Sequence, residues 1–197
     1  AFKLGSIDVL TSSNVEKIEE NIGKMGFNTK ENYGRCFDYI AFNVSRDTTR
    51  NKEVRQAINY AINKQEIINA VYKGNYIEAD YPLSNGNYLY NKEIADYEYN
   101  ENKAKKILSD NGWEFNGRNW QKQIDGKTIK LELDLLVNSY YGERIEVANK
   151  IKEQLEKIGI QVNIISVRDK NYDNYVDRRN YDMFLTGVLV RNKPKIK

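Results

Sequence analysis

The chain has 197 residues, of which 40% are hydrophobic and 30% charged, and its net charge at pH 7 is +3. A chain of this length can bury a sizeable core. The net charge is small and its positive and negative residues are interspersed, which gives little support for nucleic-acid binding. Because Cys36 is the only cysteine and histidine does not occur, the composition excludes an intrachain disulfide, a cysteine-based zinc site and histidine-dependent catalysis.

Three elements are predicted before residue 45. Ser6–Leu10 has the pattern of a strand, and Asn14–Met25 has apolar residues at helical spacing. The apolar run in Arg35–Val44 predicts a buried strand. No apolar run in the sequence approaches the roughly 20 residues that a membrane-spanning helix needs.

The segment Asn51–Gly74 predicts two short helices joined by a cap. Apolar residues recur at helical spacing in its first half, at Val54, Ala57, Ile58, Ala61 and Ile62. Asn63 interrupts this stripe and Glu66 follows three residues later, a variant of the capping box in which Asn63 accepts from amides of the second helix. Gly74 supplies the stop. We expect these apolar residues to lie in the core and to contact no ligand.

A long loop and a third helix follow. Tyr76–Asn91 has weak periodicity and contains Pro82 and Gly86, so it is predicted to be a loop. Asn100 is the predicted N-cap of the third helix. Asn111 and Gly112 close this helix, and Trp113 is expected to fold back onto it as a hydrophobic contact.

A hairpin and a crossover unit make up the rest of the chain. Asp125 and Gly126 form a strong two-residue turn signal between the strands Asn119–Ile124 and Lys127–Val137. Four further elements are predicted in the order helix, strand, helix, strand, over Gly142–Ile158, Ile160–Val167, Asn171–Arg179 and Tyr181–Val190. This alternation implies parallel pairing of the strands.

Two strand ends are candidates for a ligand site, because ligands of α/β sheets gather outside the carboxyl ends of strands. The first end is Asn138–Gly142, where amides at the helix N-terminus could receive a carboxylate. A helix cap by Asn138 or Ser139 is an equally good and compatible interpretation. The second end is Gly187–Pro194. Arg191 in this segment could contact a ligand, or it could belong to a solvated basic turn.

Several motifs, in the same order along the chain, resemble those of the family 5 extracellular solute-binding proteins. They are Ala41–Asn43 (AFN), Val54–Ile68 (VRQAINYAINKQEII), Leu155–Val162 (LEKIGIQV) and Tyr181–Gly187 (YDMFLTG). These proteins are the peptide- and nickel-binding components of ABC importers. The resemblance extends from Gly5 to Gly187 and is carried most specifically by the helical motif.

The resemblance implies an α/β fold, namely one lobe of a two-lobed periplasmic-binding-protein type II fold, with a mixed sheet flanked by helices. It implies that residues 1–197 form a single lobe, the later one, without the first lobe and the C-terminal return. The expected function is capture of a peptide or other small solute for an ABC permease by closure of two lobes. The alternative is a sensing module of the same fold, attached to a regulator or receptor.

The resemblance also implies several absences and a location. We expect no enzyme activity, since no nucleophile–base pair is available, and we expect no cofactor, no metal site and no nucleic-acid partner. The protein is expected to be a monomer outside the cell or in the periplasm, attached to the membrane only through a lipid outside this chain. The Lys-, Asn-, Ile- and Tyr-rich composition is typical of an AT-rich Gram-positive bacterium.

The sequence departs from the family pattern after Gly187. Val188 stands where the resemblance implies a tryptophan, and Arg191 lies near the position of an aspartate that pairs with the ligand's amino group in peptide binders. Since a cation repels an ammonium group, another acid, another binding mode or an acidic ligand is implied. The predicted ligand contacts are Asn138, Ser139, Tyr140, Tyr141, Leu185, Val188, Leu189, Val190 and Arg191.

Overall fold

The computed structural model describes residues 36–79 and 97–190, together with residues 6, 8, 9, 28, 30, 34 and 82. The predicted helix Asn14–Met25 lies outside the described residues. The predicted strand Ser6–Leu10 is described only at residues 6, 8 and 9, none of which is in a strand. Residues 76–79 and 82 of the predicted loop Tyr76–Asn91 are in neither helix nor strand, and the rest of that loop lies outside the described residues.

The described chain forms five helices and seven strands. The helices are α1 (Lys52–Ala61), α2 (Lys64–Tyr72), α3 (Glu101–Asp110), α4 (Gly142–Lys157) and α5 (Asp169–Asp177). The strands are β1 (Cys36–Phe42), β2 (Glu114–Phe115), β3 (Trp120–Ile124), β4 (Lys127–Lys130), β5 (Glu132–Asn138), β6 (Gln161–Val167) and β7 (Met183–Leu189). None of these helices is long and apolar enough to cross a bilayer.

The main sheet has the strand order β1-β7-β5-β6. The central strand β5 runs parallel to both β6 and β7, whereas β1 pairs antiparallel with β7. Helix α4 connects β5 to β6 and α5 connects β6 to β7, so both connections are helical crossovers between parallel strands. The mixed sheet flanked by helices and the parallel pairing predicted from the alternating elements are therefore confirmed.

Strand β1 differs from the prediction of a buried strand over Arg35–Val44. None of its seven residues is fully buried, and Cys36 and Asp38 are exposed. The reason is its position, because β1 is the outermost strand of the sheet among the described residues. An apolar run in the sequence does not distinguish an edge strand from a central one.

The predicted strand Lys127–Val137 is divided between two sheets at Leu131. Before this residue, β4 belongs to the small antiparallel sheet β2-β3-β4, and after it β5 belongs to the main sheet. The Leu131 amide donates to the Trp120 carbonyl (2.8 Å), and the Leu131 carbonyl accepts from the Gln161 amide (2.9 Å). The predicted turn at Asp125 and Gly126 is confirmed, with both residues at positive φ.

The core lies between the helix-covered face of the main sheet and helices α1, α3 and α4. Leu133, Leu135 and Val137 of β5 point into it, and all three are at most 1% exposed. Leu136 is also fully buried, so the central strand is covered on both faces. On the second face, the Tyr172 ring of α5 lies 5.8 Å from the Phe184 ring of β7.

The junction of α1 and α2 confirms the predicted cap and adds a partner from a distant helix. The Asn63 side chain accepts from the Glu66 amide (3.0 Å). The reciprocal bond of a capping box is absent from this pair, because the Asn63 amide donates to Oε1 of Gln154 on α4 (3.0 Å). Gln154 in turn donates to the Glu66 carboxylate (3.2 Å). A buried glutamine therefore attaches this junction to α4.

Asn43 and Asp182 form a buried polar cluster at the amino-terminal ends of β5 and β7. Asn43 Nδ2 donates to the carbonyl oxygens of Arg179 (2.9 Å) and Tyr181 (3.0 Å), and the Asn43 amide donates to the Asp182 carbonyl (2.8 Å). One Asp182 carboxylate oxygen accepts from the Thr48 hydroxyl, and the other accepts from the Asp134 amide (2.9 Å). These bonds join β1, β5, β7 and the loop that leads into α1.

We predict that Asp182→Ala lowers the free energy of unfolding by about 1 to 3 kcal/mol, because it leaves two partly buried donors without their acceptor. Asp182→Asn keeps one acceptor oxygen and should cost less. Urea denaturation followed by circular dichroism measures both losses, with the exposed Asp177→Ala as the control. Equal stability of the Asp182→Ala and Asp177→Ala variants would contradict the assignment of Asp182 as a structural carboxylate.

Candidate functional site

The two predicted ligand segments lie at one edge of the main sheet. Since β5, β6 and β7 are parallel, their carboxyl ends meet at this edge, which we call the carboxyl edge. Asn138 is the last residue of β5, and Leu189 is the last of β7. Cys36 begins the antiparallel strand β1 and pairs with Leu189, so the start of β1 also lies here.

The loop between β5 and α4 holds its shape through its own polar groups. The Tyr140 amide donates to the Asn138 side-chain oxygen (2.9 Å), and the Ser139 amide donates to the Val167 carbonyl (2.9 Å). Tyr141 occupies the N-cap position of α4 and makes no side-chain cap bond. The alternative of a helix cap by Asn138 or Ser139 is therefore wrong, because the Asn138 side chain bonds a loop amide instead.

The aromatic residues of this loop are its most accessible side chains. Tyr140 is 74% exposed and Tyr141 is 48% exposed, and their rings meet edge to face at 5.1 Å between centroids. Tyrosine combines apolar area with a hydroxyl that can bond a polar partner, which suits it to ligand contact. Tyr140 and Tyr141 thus give the carboxyl edge an accessible aromatic surface.

The predicted ligand residues of β7 differ in accessibility. Val188 is 43% exposed and Leu189 is 63% exposed, while Val190 is half-buried. Leu185 is only 4% exposed and packs in the core, so it offers little surface to a ligand. Arg191 lies outside the described residues.

An ion pair that the sequence analysis missed connects α4 to β1 at this edge. Arg144 Nη2 lies 2.8 Å from Asp38 Oδ1, and Arg144 Nε donates to Asp38 Oδ2 at 3.4 Å. The Arg144 guanidinium carbon also lies 4.5 Å from the centroid of the Tyr141 ring. Asp38 and Arg144 are separated by 106 positions, and no local pattern in the sequence links residues so far apart.

Two tyrosines from α2 and the segment after it lie near this pair. The Tyr72 and Tyr76 rings stack with 3.9 Å between their centroids. Burial raises the pKa of the Tyr72 phenol well above its ordinary value, and the Asp38 charge raises it further. Burial likewise raises the pKa of Tyr76, and the Glu143 charge adds to this effect. Both phenols are therefore neutral across the physiological pH range.

A shallow open depression of about 590 Å³ lies beside the loop, at the ends of β5 and β6. Its walls come from Ser139, Ser166, Val167, Arg168, Asp169, Lys170 and Asn171. Among the described residues of this lining, Ser139 is the one that the sequence analysis predicts to contact a ligand. No group of three or more Asp, Glu, Cys or His residues within the described part of the chain is placed to hold a metal ion.

Comparison with known proteins identifies a family over nearly the whole chain. The family model "Bacterial extracellular solute-binding proteins, family 5 Middle" matches residues 1–195. Heme-binding protein A of Haemophilus influenzae is 38% identical over 109 residues, which cover 55% of this chain and 20% of that protein. Oligopeptide-binding protein AppA of Bacillus subtilis is 35% identical over 126 residues, which cover 63% of this chain and 23% of that protein.

A solved structure agrees with these matches. The structure of AppA from Bacillus subtilis in complex with a nonapeptide aligns with a TM-score of 0.72 and 29% identity, covering 83% of this chain and 33% of that one. The chain thus spans about a quarter or less of the curated relatives and a third of the solved relative.

The raised pKa of Tyr72 leads to a prediction about stability at alkaline pH. In the unfolded chain this phenol ionises near pH 10, whereas in the folded chain it stays protonated, so the stability it contributes is present below pH 10 and is lost as pH rises above it. Tyr72→Phe should therefore reduce the decline of the free energy of unfolding between about pH 10 and pH 11.5 by up to about 1.4 kcal/mol per pH unit.

Urea titrations at several pH values measure this decline. Tyr140→Phe is the matched control, because the Tyr140 side chain is 74% exposed. If Tyr72→Phe and the wild type lose stability equally over this range, the burial of Tyr72 does not suppress its ionisation.

Proposed function

Because the chain belongs to the bacterial extracellular solute-binding proteins of family 5, we propose that it is one lobe of the solute-capturing component of an ABC importer. The match of the family model to residues 1–195 is the observation that carries this proposal. Membership of a family of binding proteins also agrees with the expectation that the chain is not an enzyme. The family resemblance predicted from the motifs is confirmed.

The proposed mechanism is closure of two lobes around the solute. The chain covers 33% of the AppA structure, which supports the interpretation that residues 1–197 form one lobe and that another part of the protein supplies the opposite wall. Binding energy from contacts to both walls would shift an equilibrium between open and closed forms. One lobe alone offers an open surface, as the shallow depression at the carboxyl edge illustrates.

We place the solute at the carboxyl edge of the main sheet. The proposed contacts are Asn138, Ser139, Tyr140, Tyr141, Val188, Leu189, Val190 and Arg191, with Leu185 supporting them from the core. The exposure of Tyr140, Tyr141 and Leu189 supports this placement. Side chains of this kind can contact the apolar and polar parts of an extended solute without demanding one sequence.

A peptide is the solute class that we propose. Oligopeptide binding in the relative AppA supports this choice. At the carboxyl edge, the acidic Asp38 is already paired with Arg144, so it is a poor partner for a ligand's ammonium group. Arg191, near the position where the family resemblance implies an aspartate, would favour a carboxylate on the solute.

The remaining parts of the proposal concern location and partners. We propose that the complete protein works outside the cell or in the periplasm as a monomer that delivers its solute to an ABC permease. A lipid attached outside this chain would hold it at the membrane of a Gram-positive bacterium. The residue composition supports the bacterial group, and the family description supports the extracellular location.

We predict that the 197-residue chain folds by itself and binds peptide weakly, with a Kd above about 100 µM for trialanine, because half of the contacts are missing. Isothermal titration calorimetry measures the Kd, and circular dichroism verifies folding. Micromolar or tighter binding by this chain alone would contradict the two-lobe mechanism.

We also predict that Tyr141→Ala weakens trialanine binding by the complete protein about tenfold or more, because it removes an aromatic contact at the carboxyl edge. Tyr99→Ala is the matched control, since Tyr99 is similarly exposed (41%) but precedes α3, away from this edge. Calorimetric titration of both variants measures the difference. Unchanged binding by the Tyr141→Ala variant would show that Tyr141 does not contact the solute.

A further inference from the structure

We propose that Arg144 and Asp38 position the ligand loop Asn138–Tyr141, and that they can do so only because residue 187 is glycine. Arg144 is a positioning residue in this proposal, since it acts through Tyr141 and is not assigned a contact with the solute. The proposal rests on the proposed function only for the statement that this loop contacts a solute. Its structural part stands on geometry within the chain.

Gly187 provides the space that the ion pair occupies. It lies directly opposite Asp38 in the pairing of β7 with β1, so both residues are on the same face of the sheet. A Cβ atom at position 187 would collide with Asp38 Oδ1 and with Arg144 Nη2. The backbone of Gly187 has no positive φ. A side chain at position 187 would therefore displace the ends of the Asp38 and Arg144 side chains, so glycine leaves room for the ion pair and is not needed for the backbone conformation.

Arg144 crosses the space above Gly187 to connect three elements. It begins in the first turn of α4, passes over β7, and reaches Asp38 on β1 with two donor atoms. A two-donor arginine–carboxylate contact fixes the plane of the guanidinium group. The Arg144 side chain is 19% exposed and the Asp38 side chain is 32% exposed, so the pair lies at the surface with its arginine end largely covered.

The guanidinium group of Arg144, which Asp38 binds, packs against the Tyr141 ring. Tyr141 has no side-chain cap bond, and its ring lies against the Arg144 guanidinium at 4.5 Å. The Tyr141 carbonyl also accepts from the Arg144 amide (3.0 Å). Tyr140 contacts Tyr141 edge to face. The orientation of both exposed tyrosines therefore depends on where Arg144 is held.

Hydrogen–deuterium exchange tests the structural part without any ligand. Arg144→Gln and Asp38→Asn should each accelerate amide exchange in residues 138–145 by about fivefold, because the loop then opens more often. Lys150→Gln is the matched control, since it breaks an ion pair to Glu153 on the same helix. Unchanged exchange in residues 138–145 of the Arg144→Gln variant would overturn the proposal.

A mutant cycle tests the role of Gly187. In the wild type, Gly187→Ala should accelerate exchange in residues 138–145 as much as Arg144→Gln does. In the Asp38→Ala/Arg144→Ala background, the same Gly187→Ala change should have no further effect, because the colliding atoms have been removed. An equal effect of Gly187→Ala in both backgrounds would show that the glycine serves the strand and not the ion pair.

Trialanine binding by the complete protein tests the functional part. Arg144→Gln should weaken binding about threefold to tenfold while the urea midpoint stays close to that of Lys150→Gln, which separates loop positioning from global stability. If the wild type does not bind trialanine, the peptide assignment fails and the exchange results alone decide the positioning role. If Arg144→Gln loosens the loop but leaves trialanine binding intact, Arg144 does not position the loop for the solute.

Discussion

The buried cluster around Asp182 is the interaction on which the arrangement of the main sheet depends. One carboxylate accepts from the loop before α1 and from the backbone of β5, while its own backbone pairs with Asn43 at the end of β1. Burial of a carboxylate is unfavourable unless hydrogen bonds satisfy it, so the cluster tolerates few other arrangements. It joins β1, β5 and β7 at the end of the main sheet that lies opposite the carboxyl edge.

Residues of the motifs that identify the family take part in this cluster and in the loop beside it. Asn43 ends the AFN motif and Asp182 belongs to the YDMFLTG motif, and the structure brings both into the same cluster. Arg55 of the helical motif donates to the carbonyl oxygens of Thr49 and Arg50, where it closes the loop before α1. The AFN and YDMFLTG motifs therefore both supply residues to the polar framework at the end of the main sheet opposite the carboxyl edge.

Local chemistry made part of the fold predictable from the sequence. The N-caps at Asn63 and Asn100 accept from Glu66 and Lys103 as their spacing predicts, and Asp125 forms the expected turn with its glycine neighbour. Each of these features involves residues within three positions of one another. The crossover pattern was predictable for a similar reason, since alternating strands and helices leave few topologies.

Features that depend on distant residues could not be predicted in this way. The edge position of β1, the partner of the Asn63 amide on α4 and the ion pair of Arg144 with Asp38 all follow from tertiary packing. At the candidate site, the strand-end rule led to the prediction of Tyr140 and Tyr141, and the structure shows that both are exposed at the carboxyl edge. The rule also included Leu185, because it does not tell which face of a strand is buried.

The division of one extended segment at Leu131 has a consequence for the pairing register. Because Leu131 bonds Trp120 in one sheet and Gln161 in the other, a shift of the segment 127–138 by one residue would change the register in both sheets. Such a slip would turn Leu133 and Leu135 from the core toward the opposite face. A mispaired form would therefore lose hydrogen bonds in both sheets. Leu131 thus couples the strand register of the small sheet to that of the main sheet.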